Sequence, residues 1–256
     1  MLVADTLRAR RLAAAVWIVV GAAFMLVIGF GYVEEVKAYP GGAPAMGAAL
    51  EAAAQAMRLL RWPAERLDTF GGYITYHNLT LITLALGIWG AIQGARLVRD
   101  PRAEGQLEYV LSTGAPRWRI LASRVTGFLI TMVVVAAGIG IGLAAATAVA
   151  GVFDLSGSMI AMTSSGLAAL ACFGLGLVTG QLVGSARLAA GVSSLALVGM
   201  YLLTNVWEEL GWIGGLRYLS PFYYSNQSRV LVPGQSLDPT ATTVLIGMAV
   251  AAIGVG

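Results

Sequence analysis

Six long stretches without an Asp, Glu, Lys or Arg side chain dominate this sequence and limit what it can fold into. A helix needs about 20 residues to cross the hydrocarbon core of a bilayer. Inside that core every backbone polar group must be bonded within its own segment. The stretches therefore predict an all-α polytopic membrane protein whose single domain covers residues 1–256. Its six spans are expected at about residues 12–33, 71–95, 122–150, 159–184, 187–207 and 239–256.

Composition excludes several classes of function. Only 11% of the residues are charged, against roughly 25% in soluble domains. Lys37 is the only lysine, so an ATP-binding P-loop, which requires Gly-Lys-Ser or Gly-Lys-Thr, is absent. Cys172 and His77 are the only residues of their types, which excludes an intrachain disulfide and argues against a metal site. The arginines lie at the ends of apolar runs rather than on one basic surface, so no nucleic-acid partner is expected.

The distribution of basic residues predicts the orientation of the chain. With the N-terminus inside, the inner segments carry ten basic residues against four acids, and the outer segments carry six against nine. Inner loops of membrane proteins are enriched in Lys and Arg. The N-terminus is therefore expected in the cytoplasm.

The first outer loop is expected to contain an amphipathic helix over residues 44–61. Its apolar residues recur at helical spacing, with Glu51 and Arg58 on the opposite side. A helix of this kind suits the outer headgroup layer, with its methionines toward the lipid. A lid packed on its own loop is the alternative. The second outer loop carries aromatic residues around Ser220-Pro221, and these suit an interfacial belt better than an exit gate.

A row of small residues marks a close helix contact in the fourth span. Rows of this kind let two helix backbones approach each other in lipid. The row predicts packing and gives no information about substrate. Its members are Cys172, Gly176, Gly180 and Gly184.

The most polar tract of the chain, residues 100–119, falls in the first inner loop. Asp100 can cap a helix, Pro101 suits the first helical position, and Gly114 with Pro116 can end it. A helix is therefore predicted over residues 101–113. Glu104 and Glu108 lie on one side of it, where like charges repel mildly. Such a pair suits a basic partner, although an ordinary solvated loop explains it as well.

Apart from Arg124 and Arg187 at the ends of two spans, the predicted spans contain no Asp, Glu, Lys or Arg side chain, and His77 is the only histidine. Carriers driven by protons or sodium usually keep ionisable groups in the membrane. The energy for any transport is therefore expected to come from outside the bilayer, at the cytoplasmic surface.

Two stretches of the sequence resemble conserved elements of a known family. The run Glu104-Gly105-Gln106-Leu107-Glu108-Tyr109-Val110-Leu111-Ser112-Thr113, followed by Pro116-Arg117, is similar to the E-x-G-x-L-E-x-L-L-S-x-P-x-x-R stretch of type-2 ABC exporter permeases. Val110 replaces the usual leucine, and two residues separate Thr113 from Pro116. Ser220-Pro221-Phe222 is similar to a second element of that family. The long first outer loop resembles most the polyketide-antibiotic and multidrug export permeases, in which this chain would form the N-terminal six-span half.

The resemblance implies that residues 101–113 form a coupling helix, which docks on a separate ABC ATPase present in two copies. It implies that the chain is not catalytic and holds no cofactor, because ATP and Mg bind to the ATPase. A second six-span bundle and membrane lipids would complete the assembly, and a hydrophobic or amphipathic drug, antibiotic or lipid would be exported. The membrane would be a prokaryotic plasma (inner) membrane. The ATPase-coupling residues would be Asp100, Glu104, Gly105, Leu107, Glu108, Leu111, Pro116 and Arg117. The substrate-binding residues are unknown.

Two alternatives belong to other classes. A secondary transporter or channel would work without ATP, and the uncharged spans argue against it. An intramembrane serine protease would use Ser165 as nucleophile and His77 as base. Residue 163 is a threonine where the rhomboid motif has glycine, and His77 lies in an early span, so this alternative is the weaker one.

Overall fold

The computed structural model describes residues 2–57, 61–103, 117–206 and 211–255. Every regular element within these ranges is helical, in agreement with the predicted all-α class. The third helix has three sections, Phe70–Ile74, a π-helical turn Thr75–Leu79, and Thr80–Ala103, which together are called α3. The other helices are α1 (Leu2–Ala38), α2 (Gly42–Ala54), α4 (Arg117–Val149), α5 (Leu155–Leu182), α6 (Ala186–Val206), α7 (Pro221–Gln227) and α8 (Pro239–Val255). The 3₁₀ segment Gln55–Met57 follows α2, and a second one, Gly211–Leu219, precedes α7.

Five of these helices are long and apolar enough to cross a membrane, namely α1, α3, α4, α5 and α6. The sixth predicted span corresponds to α8, an apolar helix of 17 described residues that falls below the length of the other five. The chain is therefore a multi-pass membrane protein with five candidate spans in its described part.

The first helix is longer than the sequence pattern suggests. It has 37 residues, about 55 Å at 1.5 Å per residue. The outer loop was expected to begin at Glu34, but α1 continues to Ala38. No Gly or Pro interrupts it there, and Lys37 donates to Glu34 at 2.7 Å, one helical turn away. The helix ends where Pro40 is followed by Gly41, whose φ is +109°.

Consecutive spans run in opposite directions, so the bundle has two distinct ends. The N-terminal face carries Arg10, Arg96, Arg124 and Arg187, and the loop face carries residues 61–69 and 211–238. The core lies between α1, α3, α4 and α5. Its centre is an aromatic series in which Trp17 contacts Trp89, Trp89 contacts Phe128, and Phe128 stacks on Phe173 with 4.3 Å between ring centroids. The spans α3 and α5 are the most buried, whereas α1 and α6 lie at the outside.

Helix α2 packs on the loop that follows it. Met46 is fully buried (0% exposed) instead of pointing into lipid, because α2 lies against residues 67 and 68. A Cβ atom on Gly47 would lie 2.5 Å from the backbone N of Asp68. The carboxylate of Glu51 accepts a hydrogen bond from the Leu67 N–H at 3.3 Å. These contacts fit the alternative of a lid packed on its own loop.

The turn between α4 and α5 shows how local sequence ends one span and begins the next. Gly151 has a φ of +79°, and the Val152 N–H donates to the Thr147 carbonyl at 2.9 Å, so the carbonyls at the end of α4 are satisfied. Asp154 then caps α5, accepting the Gly157 N–H at 2.8 Å. A turn this short makes α4 and α5 adjacent and antiparallel.

The Asp154 cap provides a test of this turn. Replacing Asp154 with Ala should lower the free energy of unfolding by about 1 kcal/mol, because the Gly157 N–H loses its acceptor. Asn keeps a side-chain acceptor, so Asp154→Asn should stay close to the original stability. Denaturant unfolding of the purified protein in detergent would measure both. Equal losses in the two variants would contradict the capping role.

Candidate transport site

The predicted coupling tract connects two of the long spans. Helix α3 ends at Ala103 and α4 begins at Arg117, both at the N-terminal face. Asp100 was expected to cap a new helix, but the backbone of α3 continues through residues 100–103, so no helix begins there. Arg117 is the first residue of α4. The other predicted coupling residues lie outside the described ranges, namely Glu104, Gly105, Leu107, Glu108, Leu111 and Pro116.

The row of small residues on α5 faces α3 at its centre. A Cβ atom on Gly176 would overlap the carbonyl oxygen of Ala91. Cys172 is buried, and its Sγ lies 3.1 Å from the position of a Cβ on Gly87. Gly180 is also buried. Gly184 does not belong to this contact, because α5 ends at Leu182 and nothing lies within 4 Å of a Cβ at Gly184.

The other half of this contact is a row of glycines on α3, Gly87, Gly90 and Gly94, which the prediction did not include. A Cβ on Gly90 would lie 2.5 Å from the carbonyl oxygen of Ala169, and one on Gly94 would overlap that of Phe173. Their spacing of three and four residues is the same signal as the row on α5. Small residues on both helices bring the two backbones into direct contact.

The Ser220-Pro221-Phe222 element enters the bundle instead of lying at the interface. Pro221 is the first residue of α7, and the Ser220 Oγ accepts a hydrogen bond from Thr204 on α6 at 2.8 Å. Phe222 is 1% exposed and packs edge-on against Tyr201, whereas Trp212 in the same loop is 87% exposed. The interfacial belt predicted for this loop therefore does not include Phe222, which fills the space beside Gly87.

The hydroxyl of Ser165 is engaged in helix packing. It lies 2.8 Å from the hydroxyl of Thr83 on α3, and it reaches the Ala161 carbonyl of its own helix at 3.1 Å. His77 is 3.0 Å from the Tyr73 carbonyl through Nδ1. The two proposed protease residues thus have separate partners, and the geometry gives no support to that alternative.

Two distant loops are joined by Arg229 at the loop face. Arg229 is 7% exposed, forms an ion pair with Glu65 at 3.2 Å, and donates to the Pro63 carbonyl at 3.2 Å. Its guanidinium also lies over the Trp62 ring, 5.4 Å from the centroid. Burial lowers the pKa of Arg229, and the neighbouring carboxylate of Glu65 opposes that effect.

The cavity lined by this cluster has a volume of about 10 Å³, which is room for one water molecule and too small for a drug.

An apolar cavity of about 170 Å³ opens between α4 and α5. Pockets for drug-sized ligands usually measure about 300–1,000 Å³, so this cavity suits part of a hydrophobic molecule. It is lined by Met132, Val133, Ala136, Ala137, Met159, Thr163, Gly166, Leu167 and Leu170.

A second cluster of polar side chains lies where α1 and α3 meet at the loop face. The Tyr73 hydroxyl donates to the carboxylate of Glu35 at 2.7 Å, and the Tyr73 ring lies 4.3 Å from that of His77. Glu35 was assigned to a loop in the prediction. The extension of α1 brings it beside the start of the second span.

Comparison with protein families identifies the chain. Residues 3–256 match the family model described as "multidrug efflux system permease Rv1217c, C-terminal domain". The chain belongs to this family. The predicted resemblance to multidrug export permeases is confirmed, although the description names a C-terminal domain and so does not support the assignment to an N-terminal half. No curated protein and no solved structure matches the chain.

Membership of this efflux-permease family places the features above in a transporter. The close pairing of α3 with α5 forms its centre, and the apolar cavity between α4 and α5 lies beside that pair.

The glycine contact between α3 and α5 makes a direct prediction. Gly176→Ala should lower the free energy of unfolding by about 1–3 kcal/mol, because the added methyl group overlaps the Ala91 carbonyl and forces the helices apart. Gly199→Ala is the matched control, since a Cβ there meets nothing within 4 Å. Thermal and denaturant unfolding in detergent would measure both. A loss at Gly199 as large as that at Gly176 would contradict the contact.

The Arg229 cluster makes a second prediction. Arg229→Ala should lower the free energy of unfolding by about 2 kcal/mol, because it removes the donor to two partly buried backbone carbonyls and the cation that pairs with Glu65. Arg66→Ala is the comparison, since Arg66 pairs with Asp68 at an exposed site, where such a pair contributes about 1 kcal/mol or less. The same unfolding measurements apply. Similar losses for both arginines would show that Arg229 has no special role.

Proposed function

We propose that this chain is the transmembrane permease of an ATP-driven ABC exporter and moves a hydrophobic or amphipathic drug, antibiotic or lipid out of the cytoplasm or inner leaflet. The family match to a multidrug efflux permease carries this proposal. Residues 104–116 add the resemblance to the coupling sequence of type-2 ABC exporters. In this proposal the N-terminal face is cytoplasmic, α8 completes a six-span bundle, and the membrane is the prokaryotic plasma membrane.

The arrangement of the helices supports a mechanical role for the polar tract. The tract is the only chain between Ala103 and Arg117, so a force on it acts on α3 and α4 at once. Helix α3 is held to α5 by backbone contacts at Gly90, Gly94 and Gly176. Packed interfaces of this kind shift as units because they do not deform continuously. A push on the tract would therefore move α3 and α5 together and change the space between α4 and α5.

The energy source in this proposal is a separate ABC ATPase. Two ATPase copies would bind ATP and Mg, and each would contact one six-span bundle through residues 101–113. Glu104 and Glu108 would face a basic groove on the ATPase, with Gly105, Leu107 and Leu111 in contact with it. A second bundle, from the same chain or another, would complete the path.

Reversing the charge of the coupling residues tests this proposal. Glu104→Lys combined with Glu108→Lys should lower transport about tenfold or more while the ATPase still hydrolyses ATP, because like charges brought together at an interface cost several kcal/mol. The measurement is substrate efflux and ATP hydrolysis in proteoliposomes holding the permease and its ATPase. Glu34→Lys is the control, an exposed acid at the loop face. Unchanged efflux in the double variant would refute the coupling role.

A secondary transporter is the second candidate, and the pairing of Glu35 with Tyr73 beside His77 favours it. A carboxylate and a histidine near a span are the groups that proton-driven carriers use. Transport driven by a pH gradient without ATP, and lost in Glu35→Gln, would establish this alternative. Efflux that requires ATP and persists in Glu35→Gln would exclude it.

A further inference from the structure

A pocket of about 400 Å³ opens at the N-terminal face, between the ends of α1, α3 and α4. It is separate from the apolar cavity, and neither the family match nor the proposed mechanism gives it a role. It is lined by Thr6, Ala9, Arg10, Gln93, Arg96, Leu97 and Arg124.

Three cations meet in this pocket without a described acid among its lining residues. Arg10, Arg96 and Arg124 come from three different helices, so the fold and not the local sequence brings them together. The guanidinium of Arg10 lies over the Phe128 ring, 5.2 Å from its centroid. The Nη1 atom of Arg10 is buried and has no hydrogen-bond acceptor among the described residues. Like charges that line one pocket repel each other, and an anion bound between them would relieve that repulsion.

The chemistry of the lining favours a phosphate group. Guanidinium groups present paired N–H donors that match the oxygens of a phosphate, and they do so better than lysine. The side chains of Gln93 and Thr6 add neutral polar groups to the same lining. An anion with several oxygens can accept from the three arginines together.

The position of the pocket favours a lipid as the source of that phosphate. It lies where the apolar parts of three candidate spans end, at Thr6, Leu97 and Leu121. Leu12 and Val16 follow Arg10 along α1, and both side chains are exposed. A phosphate in the pocket would therefore have a path for an acyl chain directly beside it. Basic pockets between transmembrane helices are known to hold lipid headgroups.

We propose that this pocket binds a phosphate group, supplied by the headgroup of an anionic phospholipid, between Arg10, Arg96 and Arg124. The bound lipid would hold the start of α1 against the ends of α3 and α4. This role is independent of ATP coupling and of the exported substrate, so it can be tested on the permease alone.

Lipid binding to the purified, delipidated chain tests the proposal by native mass spectrometry. Phosphatidylglycerol and phosphatidylcholine serve as probes at equal concentration, and phosphatidylglycerol should bind selectively. Arg10→Gln and Arg124→Gln should each weaken its binding about tenfold, the usual effect of losing one charge-assisted hydrogen bond. Arg11→Gln is the matched control, because Arg11 has the same charge, follows Arg10 in α1, is exposed and does not line the pocket.

Thermal unfolding is the second measurement. It distinguishes a loss of lipid binding from a loss of folding, and it distinguishes a lipid ligand from free phosphate. Phosphatidylglycerol should raise the midpoint temperature of thermal unfolding of the original chain more than that of Arg10→Gln, with both chains folded in phosphatidylcholine. If Arg10→Gln does not fold, Arg96→Gln replaces it, since that side chain is exposed. Inorganic phosphate should compete with phosphatidylglycerol for the site.

Three results would overturn the proposal. The first is equal binding of the two lipids, and the second is an equal loss in Arg11→Gln, which would indicate a general charge effect. The third is stabilisation by inorganic phosphate without any by phosphatidylglycerol, which would make free phosphate the ligand instead of a lipid. Selective binding that is lost in the pocket variants and kept in the control would establish the site.

Discussion

The direct contact between the backbones of α3 and α5 is the constraint on which the rest of this bundle depends. Glycines on both helices face carbonyl groups of the partner, so no side chain separates the two. Packing in lipid has no hydrophobic driving force between helices, and close van der Waals contact replaces it. Phe173 on α5 stacks on Phe128 of α4, and Phe222 fills the opposite side beside Gly87. The α3–α5 pair thus forms a centre against which the other helices are placed.

The parts of this fold that depend on composition could be predicted from sequence, and the parts that depend on tertiary contact could not. Charge-free runs locate spans because lipid excludes unpaired charge, and five of the predicted spans are helices long enough to cross. The extension of α1 beyond Glu34 was missed because a charged residue was taken as the edge of the membrane. The glycines at positions 87, 90 and 94 recur at helical spacing, and this pattern could have been recognised in the sequence as a helix contact. No sequence pattern predicts the burial of Phe222 or the pairing of Arg229 with Glu65, because the residues that contact each other are far apart in the chain.

The family match and the geometry contribute different things to the functional argument. The match shows that the chain belongs to an efflux-permease family, and it says nothing of individual residues. The geometry shows which helices share a rigid contact and where the chain between Ala103 and Arg117 is attached to them. The pocket of three arginines was not foreseen, because Arg10, Arg96 and Arg124 belong to separate helices and converge only in the folded bundle.

The outer surface of α1 fixes how deeply the protein sits in its bilayer. Exposed apolar side chains continue from Leu12 to Phe30, a rise of about 27 Å. That distance is close to the thickness of an ordinary hydrocarbon core, about 30 Å. Arg10 and Arg11 lie just before this band, and Glu34 and Glu35 lie just after it. The apolar band of α1 therefore matches a membrane of average thickness. A thicker bilayer would have to thin locally around the helix, or the charged residues at both ends of the band would be buried in the hydrocarbon core.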